Sequence, residues 1–576
     1  MAQPRDTRIS RPFPRRLIES MSQREQPFAA LNRGLFRIPS AALLGVEVLV
    51  LLAMLAAAWR QRSVMPLVPS ADPDAWGYLY PALSWLGGFG LRQTSGRDWL
   101  YPAMLALFLN TSGSFAGIVL WQKFLAIISG ILMAVTWRCW VSTLPFRRWI
   151  LFLVSLGGLL PILSQLTNPQ NIYFETSIRP EAVLSFFVYA QLACLMGYYK
   201  YRWQTPKALP STILGAAAIV LSYACLWLKP SWLLAFVVTA APVFVGVFGR
   251  VPSLKTRLLT PALGIVFSLL VLWLPSAVFL IKDSASVTML PDALFAVHAR
   301  LIDAMLNARI ATLSDSDPEK AKLRALVTVL ENELPAAEVD RPYEKLGFNA
   351  DYLMHSPPLT EALYRYTGND DRKFRAFCIS CYRDAALYDP SAFARKIWVQ
   401  FTHFLFPAPD TFFKDFHDFR EYYKDSATNL DPDLPDRFPA NIREMYHRYR
   451  ADLAVHAETS LKLSRKSKFR TFRHVFAPWV LPLEILFVLT FAASLIWRPL
   501  RDMRLGGWAA LSLFSASLGN ALTVCIVHAL DINRYRHTYG GFLLFALVAM
   551  ALFSALAITR SVRHALGVSS RELERS

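Results

Sequence analysis

Ala41-Ala-Leu-Leu-Gly-Val-Glu-Val-Leu-Val-Leu-Leu-Ala-Met-Leu-Ala-Ala-Ala-Trp59 is an apolar run long enough to cross a hydrocarbon core as one helix. Nine further runs of this kind fall near 113–136, 149–166, 182–199, 211–228, 231–249, 260–281, 476–497, 507–528 and 540–559. Apolar residues make up 54% of the 576 and charged residues only 18%, the balance of a polytopic membrane protein rather than a soluble one. The expected fold is therefore all-α, with about ten transmembrane helices.

Charge sets the expected orientation. The first 40 residues carry eight Arg against three acids, which holds the N-terminus in the cytoplasm by the positive-inside rule. Alternate connections, 138–148, 200–207, 250–257 and 498–504, and the tail from Arg560, are all basic, so both termini are expected inside. An apolar run this long after so long a leader reads as an anchor and not as a cleaved signal. The formal charge of +19 does not indicate nucleic acid, because residues 282–475 hold 28 Lys+Arg and 28 Asp+Glu. The excess lies on the rest of the chain, where it belongs largely to topology and to contact with anionic lipid.

This organisation gives a basic segment 1–40, a membrane module 41–281 with a long first external loop 60–112, an external and mostly helical domain 282–475, a C-terminal membrane pair of loops and helices 476–559, and a cytoplasmic tail 560–576. Within the loop 60–112, Leu100 to Leu109 is apolar enough to lie along the interface as a short helix. In the domain, Trp398 to Phe406 is aromatic enough to dip into the interface. Cys378-Ile-Ser-Cys381 is expected to be a disulfide or a pair of idle thiols, since one CxxC without a second pair is weak evidence for zinc.

Candidate chemistry starts just after the first span, at Ser70-Ala-Asp72-Pro-Asp74-Ala-Trp-Gly-Tyr78. A carboxylate is costly to hold near hydrocarbon, so two of them there suggest a site. Asp74 and Asp72 could act as a general base and a helper deprotonating an acceptor hydroxyl. Asp-Pro-Asp is equally a turn and helix-capping sequence. Farther on, Glu181 after Pro180 either faces a site, with Glu175 and Arg179 near enough to join it, or simply suits a helix N-terminus. Lys229 either binds phosphate or snorkels. Arg534, Tyr535 and Arg536 lie in the short connection before the last span, where two Arg run against the positive-inside trend and so imply a partner. A forked guanidinium suits phosphate.

Asp74 to Tyr78, Gly87-Gly88, Arg97-Asp-Trp-Leu-Tyr101-Pro102 and Trp121-Gln122 together resemble the first-loop pattern of GT-C glycosyltransferases. These are polytopic enzymes related to protein mannosyltransferases and lipid A aminoarabinose transferases that use polyprenyl-phosphate sugars. Trp227-Leu-Lys229-Pro230 and Arg534-Tyr535-Arg536 add to the likeness. The sequence departs from the pattern at Ala75, where many relatives have Ser or Glu, and at Asp98-Trp99-Leu100, where a Gly is usual. The resemblance covers the spans of 41–281 and 476–559 but not the domain 282–475. It implies transfer of a sugar from a polyprenyl-phosphate donor to a glycan, lipid or protein acceptor, with Asp74 as catalytic carboxylate and Tyr78, Arg97, Tyr101, Glu181, Lys229, Arg534, Tyr535 and Arg536 binding substrate. The expected place is a bacterial inner membrane with the site facing the periplasm. No cofactor is certain; a divalent cation, Mg or Mn, is the one candidate. An O-antigen polymerase or ligase would concentrate Arg and His in late loops, and a lipid or solute transporter would show inverted repeats and mid-membrane charges.

Overall fold

The computed structural model describes residues 40–94, 97–248, 253–278, 280–282, 289–338, 349–405, 420–458, 477–527 and 532–566. Nine described helices are long and apolar enough to cross a membrane, and the chain is a multi-pass membrane protein. They are α1 Ser40–Ser63, α4 Ala116–Val141, α5 Arg148–Leu166, α7 Glu181–Gln204, α8 Ala208–Leu228, α9 Pro230–Phe248, α10 Leu254–Val278, α21 Arg498–Val527 and the apolar part, Leu543–Ala565, of α22 Ile532–Ala565. The run expected at 476–497 forms α20, Val480–Ile496, which at 17 residues sits at the lower limit for a span and is preceded by a 3-10 turn, Ala477–Trp479. The last helix starts at Ile532 and so takes in most of the connection expected at 529–539.

Between lipid-like surroundings and one another, these helices gain little from apolarity itself, so close approach and internal polar pairs decide the packing. Gly519 shows the first. A Cβ there would lie 2.7 Å from the backbone nitrogen of Ala235, so α21 touches the main chain of α9 only because this residue has none. Buried hydroxyl and indole contacts show the second: Ser222 to Thr239 at 2.8 Å, Tyr199 to Ser512 at 2.8 Å, and the Trp140 indole donating to Gly506 O at 3.0 Å.

The loop after α1 folds into two helices, α2 Ala75–Leu86 and α3 Leu100–Ser112, with the strand β1 Leu91–Gln93 between them. Far from lying alone along an interface, α3 buries Tyr101, Leu105, Phe108 and Leu109 in the same core as α2 and α4. β1 pairs in parallel with β2, Leu280–Lys282, just beyond α10, in the register Leu91 to Leu280 and Gln93 to Lys282. Residues 167–180 carry the short helix α6, Pro169–Glu175, and run beside the first loop, since Ser70 and Ser177 form a parallel bridge.

The segment expected as one helical domain is helical in its described parts, but it contributes to two cores. Helices α11 Leu290–Val297, α12 Ala299–Thr312, α13 Pro318–Glu338, α14 Ala350–Met354, α15 Pro357–Tyr366 and α16 Asp371–Tyr388 enclose their own core around Phe295, Leu306, Leu330 and Phe374. Cys378 and Cys381 are free thiols buried in that core, so the pair is filler and not a bridge. In contrast, α17 Pro390–Leu405, α18 Arg420–Thr428 and α19 Ala440–Glu458 place Phe404, Tyr423, Phe438, Tyr446 and Tyr449 in the core of the membrane module. At α17, Lys396 Nζ donates to Cys525 O at 3.0 Å, and Tyr382 on α16 donates to Ile526 O at 3.1 Å, so both cap the last carbonyls of α21. Trp398, on the opposite face of α17, is exposed.

Candidate functional site: a chamber of paired charges

Asp72 opens a turn. Its carboxylate accepts from the Asp74 amide at 3.0 Å and its carbonyl from Ala75 N at 2.9 Å, which starts α2 and leaves Asp74 at the N-terminal boundary of the helix. Asp72 also forms an ion pair with Arg179 from the second loop. One carboxylate thus makes the turn and joins two loops.

Asp74 receives the Arg97 guanidinium, Nη2 to Oδ1 at 2.5 Å, with both side chains partly exposed. Arg97 reaches it by crossing Gly77, where an added Cβ would press on its Cγ at 3.3 Å. Thr94 Oγ1 donates to Gly77 O at 2.5 Å and fixes the returning chain. The Arg97 guanidinium lies 5.2 Å from the centre of the Tyr78 ring, and Tyr78 meets Tyr101 edge-on at 5.3 Å. Tyr101, buried on α3, donates to Gln122 Oε1 at 2.8 Å, and the Gln122 amide donates to Glu175 O at 3.0 Å and Ser177 O at 3.1 Å. A continuous path of contacts therefore leads from Asp74 to the second loop.

Two ion pairs are buried beneath that path. Lys229, at the end of α8, holds Glu181 of the first turn of α7 at 2.7 Å, with side chains 8% and 1% exposed. Lys229 therefore does not snorkel. Arg62, in the last turn of α1, binds both oxygens of Glu175 at 2.6 Å and also donates to Ala58 O at 3.1 Å and Leu166 O at 2.7 Å. Burial pushes the Glu175 carboxyl up from its ordinary value while the Arg62 guanidinium opposes that shift. Lys123, buried on α4, donates to Met65 O at 3.0 Å. A cavity of about 20 Å³ lined by Arg62, Ser129, Gln165, Asn171, Glu175 and Glu181 lies between the two pairs. It has the size and polar lining for one water.

Of the residues expected from sequence, Asp72, Asp74, Tyr78, Arg97, Tyr101, Glu181 and Lys229 gather at this end of the bundle. Arg534, Tyr535 and Arg536 occupy the start of α22, and their side chains lie outside the described residues. Sequence reasoning missed Arg62 and Lys123. The signal for Arg62 was present: Arg60 and Arg62 follow the first span on the side expected to be poor in Arg, the same anomaly that singled out Arg534 and Arg536. Lys123 inside an apolar run was a second such signal. For a metal, the acids are poorly disposed: Asp72, Asp74, Glu175 and Glu181 each face a cation of the chain, and among the described residues no three His, Cys, Asp or Glu side chains group as ligands.

Fold and site define a multi-pass membrane protein with a cluster of paired charges at one end of its helical bundle. Compared with protein-family models, curated proteins and solved structures, the chain matches none.

Proposed function

We propose that this protein is an integral membrane glycosyltransferase that moves a sugar from a polyprenyl-phosphate donor to an acceptor hydroxyl on a glycan, lipid or protein. The observation that carries the reading is the convergence of Asp74, Arg97, Tyr78 and Tyr101, the first-loop positions of the GT-C resemblance, into one contact path that leads to the loop preceding Glu181. The basic connections at the other ends of the spans support reading this end of the bundle as the outer side, in a bacterial inner membrane. Nucleotide sugars are not supplied there, so a donor carried across on a lipid is the chemistry that fits.

Asp74 takes the proton of the acceptor hydroxyl, and the acceptor oxygen bonds to the anomeric carbon from the face opposite the phosphate. The bond from anomeric carbon to phosphate oxygen breaks at the same time and its electron pair leaves on the phosphate, which gives inversion. Arg97 fixes the Asp74 carboxylate in place. Lys229, Arg534 and Arg536 are the cations assigned to the growing negative charge of the leaving group, an electrostatic task that preorganised donors perform with little rearrangement. Tyr78 and Tyr101, beside the Asp74–Arg97 pair, are assigned to substrate binding.

Asp74→Asn is the direct test. The Asp74–Arg97 pair is partly exposed, so its loss costs only about 1 kcal/mol of stability, whereas removal of a general base lowers transfer by roughly 10²–10⁴-fold. Membranes from a deletion strain carrying Asp74→Asn should accumulate a lipid-linked sugar and lack that sugar in an envelope glycan. Normal glycans with normal protein levels would refute the assignment.

A further inference from the structure

The four residues before Asp72 are held on both edges. On one edge they join the second loop, with Ser70 N donating to Thr176 O at 2.8 Å and Ile178 N to Ser70 O at 2.9 Å. On the other edge stand α18 and α19, more than 350 residues away in sequence. Tyr423 donates to Val68 O at 3.0 Å, Tyr449 to Pro69 O at 2.8 Å, and Asn429 to Ala71 O at 3.1 Å. Ser426 accepts from the Ala71 amide at 2.7 Å and donates its own hydroxyl hydrogen bond to Tyr422 O at 2.6 Å, so its lone pair is aimed by its own helix. Both polar groups of the Ala71 backbone are thus taken by side chains, one residue before Asp72.

These contacts are built and not incidental. Ser426 is 0% exposed and Tyr449 1%, and Tyr449 is also stacked on Phe115 with ring centres 4.0 Å apart. Tyr422 on α18 stacks on Tyr173 of the second loop, again at 4.0 Å. Beyond the turn, the Arg437 guanidinium donates to the Tyr80 hydroxyl of α2 at 2.5 Å. The pair α18 and α19 touches the first loop before and after Asp74, and the second loop as well.

We propose that α18 and α19 are a clamp on the catalytic loop, with Ser426, Asn429 and Tyr449 as positioning residues that set the height and direction of Asp74 through the backbone of residues 68–71. The proposal rests on Asp74 being the base, and it assigns to part of the segment between α10 and α20 a share in the reaction rather than a covering role. The turn Asp72-Pro-Asp74 is held at its far side by α2 and through its carboxylates by Arg179 and Arg97, and the contacts to residues 68–71 hold the backbone at its near side. Side chains that hold a buried backbone amide act on that side directly, since an amide left without its acceptor opens more readily.

The full-length protein in lipid nanodiscs tests this through hydrogen exchange of the peptide covering residues 68–78, together with mass spectrometry of lipid-linked sugars in cells carrying each variant. Ser426→Ala with Asn429→Ala should speed exchange at the Ala71 amide about fivefold or more, and should cause donor accumulation at normal protein levels. Ser426→Thr, which keeps the hydroxyl, should restore both. Tyr449→Phe, which keeps the stacking, serves as a milder second variant if the double variant does not fold, and should speed exchange in the same peptide. Unchanged exchange in folded variants overturns the clamp, and so does faster exchange without donor accumulation. If Asp74→Asn itself leaves transfer intact, the glycosyltransferase reading fails by that result, and the exchange arm decides the clamp alone.

Discussion

Replacing Arg62 by Met tests the buried half of the cluster. The guanidinium is 1% exposed and makes four hydrogen bonds, two to Glu175 and two to main-chain carbonyls of α1 and α5. Breaking a buried pair by removing one partner costs about 3–5 kcal/mol, because the other charge is left desolvated. Loss of the two carbonyl contacts adds about 1 kcal/mol each. The total is limited by protonation of Glu175, which burial already favours. Arg62→Met should therefore cost about 4 kcal/mol at neutral pH, while Arg62→Met with Glu175→Leu should recover much of it, a coupling of about 2–3 kcal/mol. The sign with pH follows from the raised carboxyl. In Arg62→Met the folded-state pKa of Glu175 stands above its unfolded value, so its contribution is present below the unfolded pKa and is lost as pH rises through the folded one. The deficit should be larger at pH 8 than at pH 5. Equilibrium unfolding in mixed micelles with increasing SDS, for the four members of the cycle at both pH values, measures this. Additive single effects, within about 0.5 kcal/mol, or a deficit independent of pH would refute the account.

Two further outcomes concern groups outside the spans. His298, buried against Phe393 with ring centres 4.1 Å apart, has its pKa pushed down to about 3 by burial and by the Lys396 charge. Its neutral form is favoured in the folded state, so stability is lost as pH falls from about 6.5 towards 3, and His298→Gln should flatten the acid limb of a thermal-stability profile. Burial pushes the Asp98 carboxyl up to about 6, so its contribution is fully present below about 3.8 and is lost as pH rises through 6. Asp98→Asn should therefore raise thermal stability at pH 8, by at most about 3 kcal/mol, and change little at pH 4; equal effects at the two pH values would count against it.

The parts of the site that sequence made legible are those whose residues are near one another in the chain. Asp74, Tyr78, Arg97 and Tyr101 span 28 residues, and turn, glycine and helix signals in that interval bring them together. Glu181 and Lys229 were each visible as charges at span ends, but their mutual pairing was not, because it depends on how α7 and α8 pack. Arg62 and Glu175 are separated by 113 residues, and Ser426 and Ala71 by 355, so only the folded bundle joins them. The spans themselves were legible because length and apolarity are enough to specify them. The segment between α10 and α20 is helical in its described parts, as expected, whereas its division between two cores was not legible, since helical periodicity does not say which neighbour a face will meet.

The parallel pairing of β1 with β2 ties the first loop to the end of α10, and the Trp99 indole reinforces the tie by donating to Leu272 O at 3.2 Å. Leu272 lies in a π-helical turn, Leu269–Trp273, the place where α10 departs from regular winding. The first loop is thus anchored twice to the last turns of one membrane span, once by strand pairing and once by an indole, and the Asp74–Arg97 pair sits on a loop whose footing lies partly within that span.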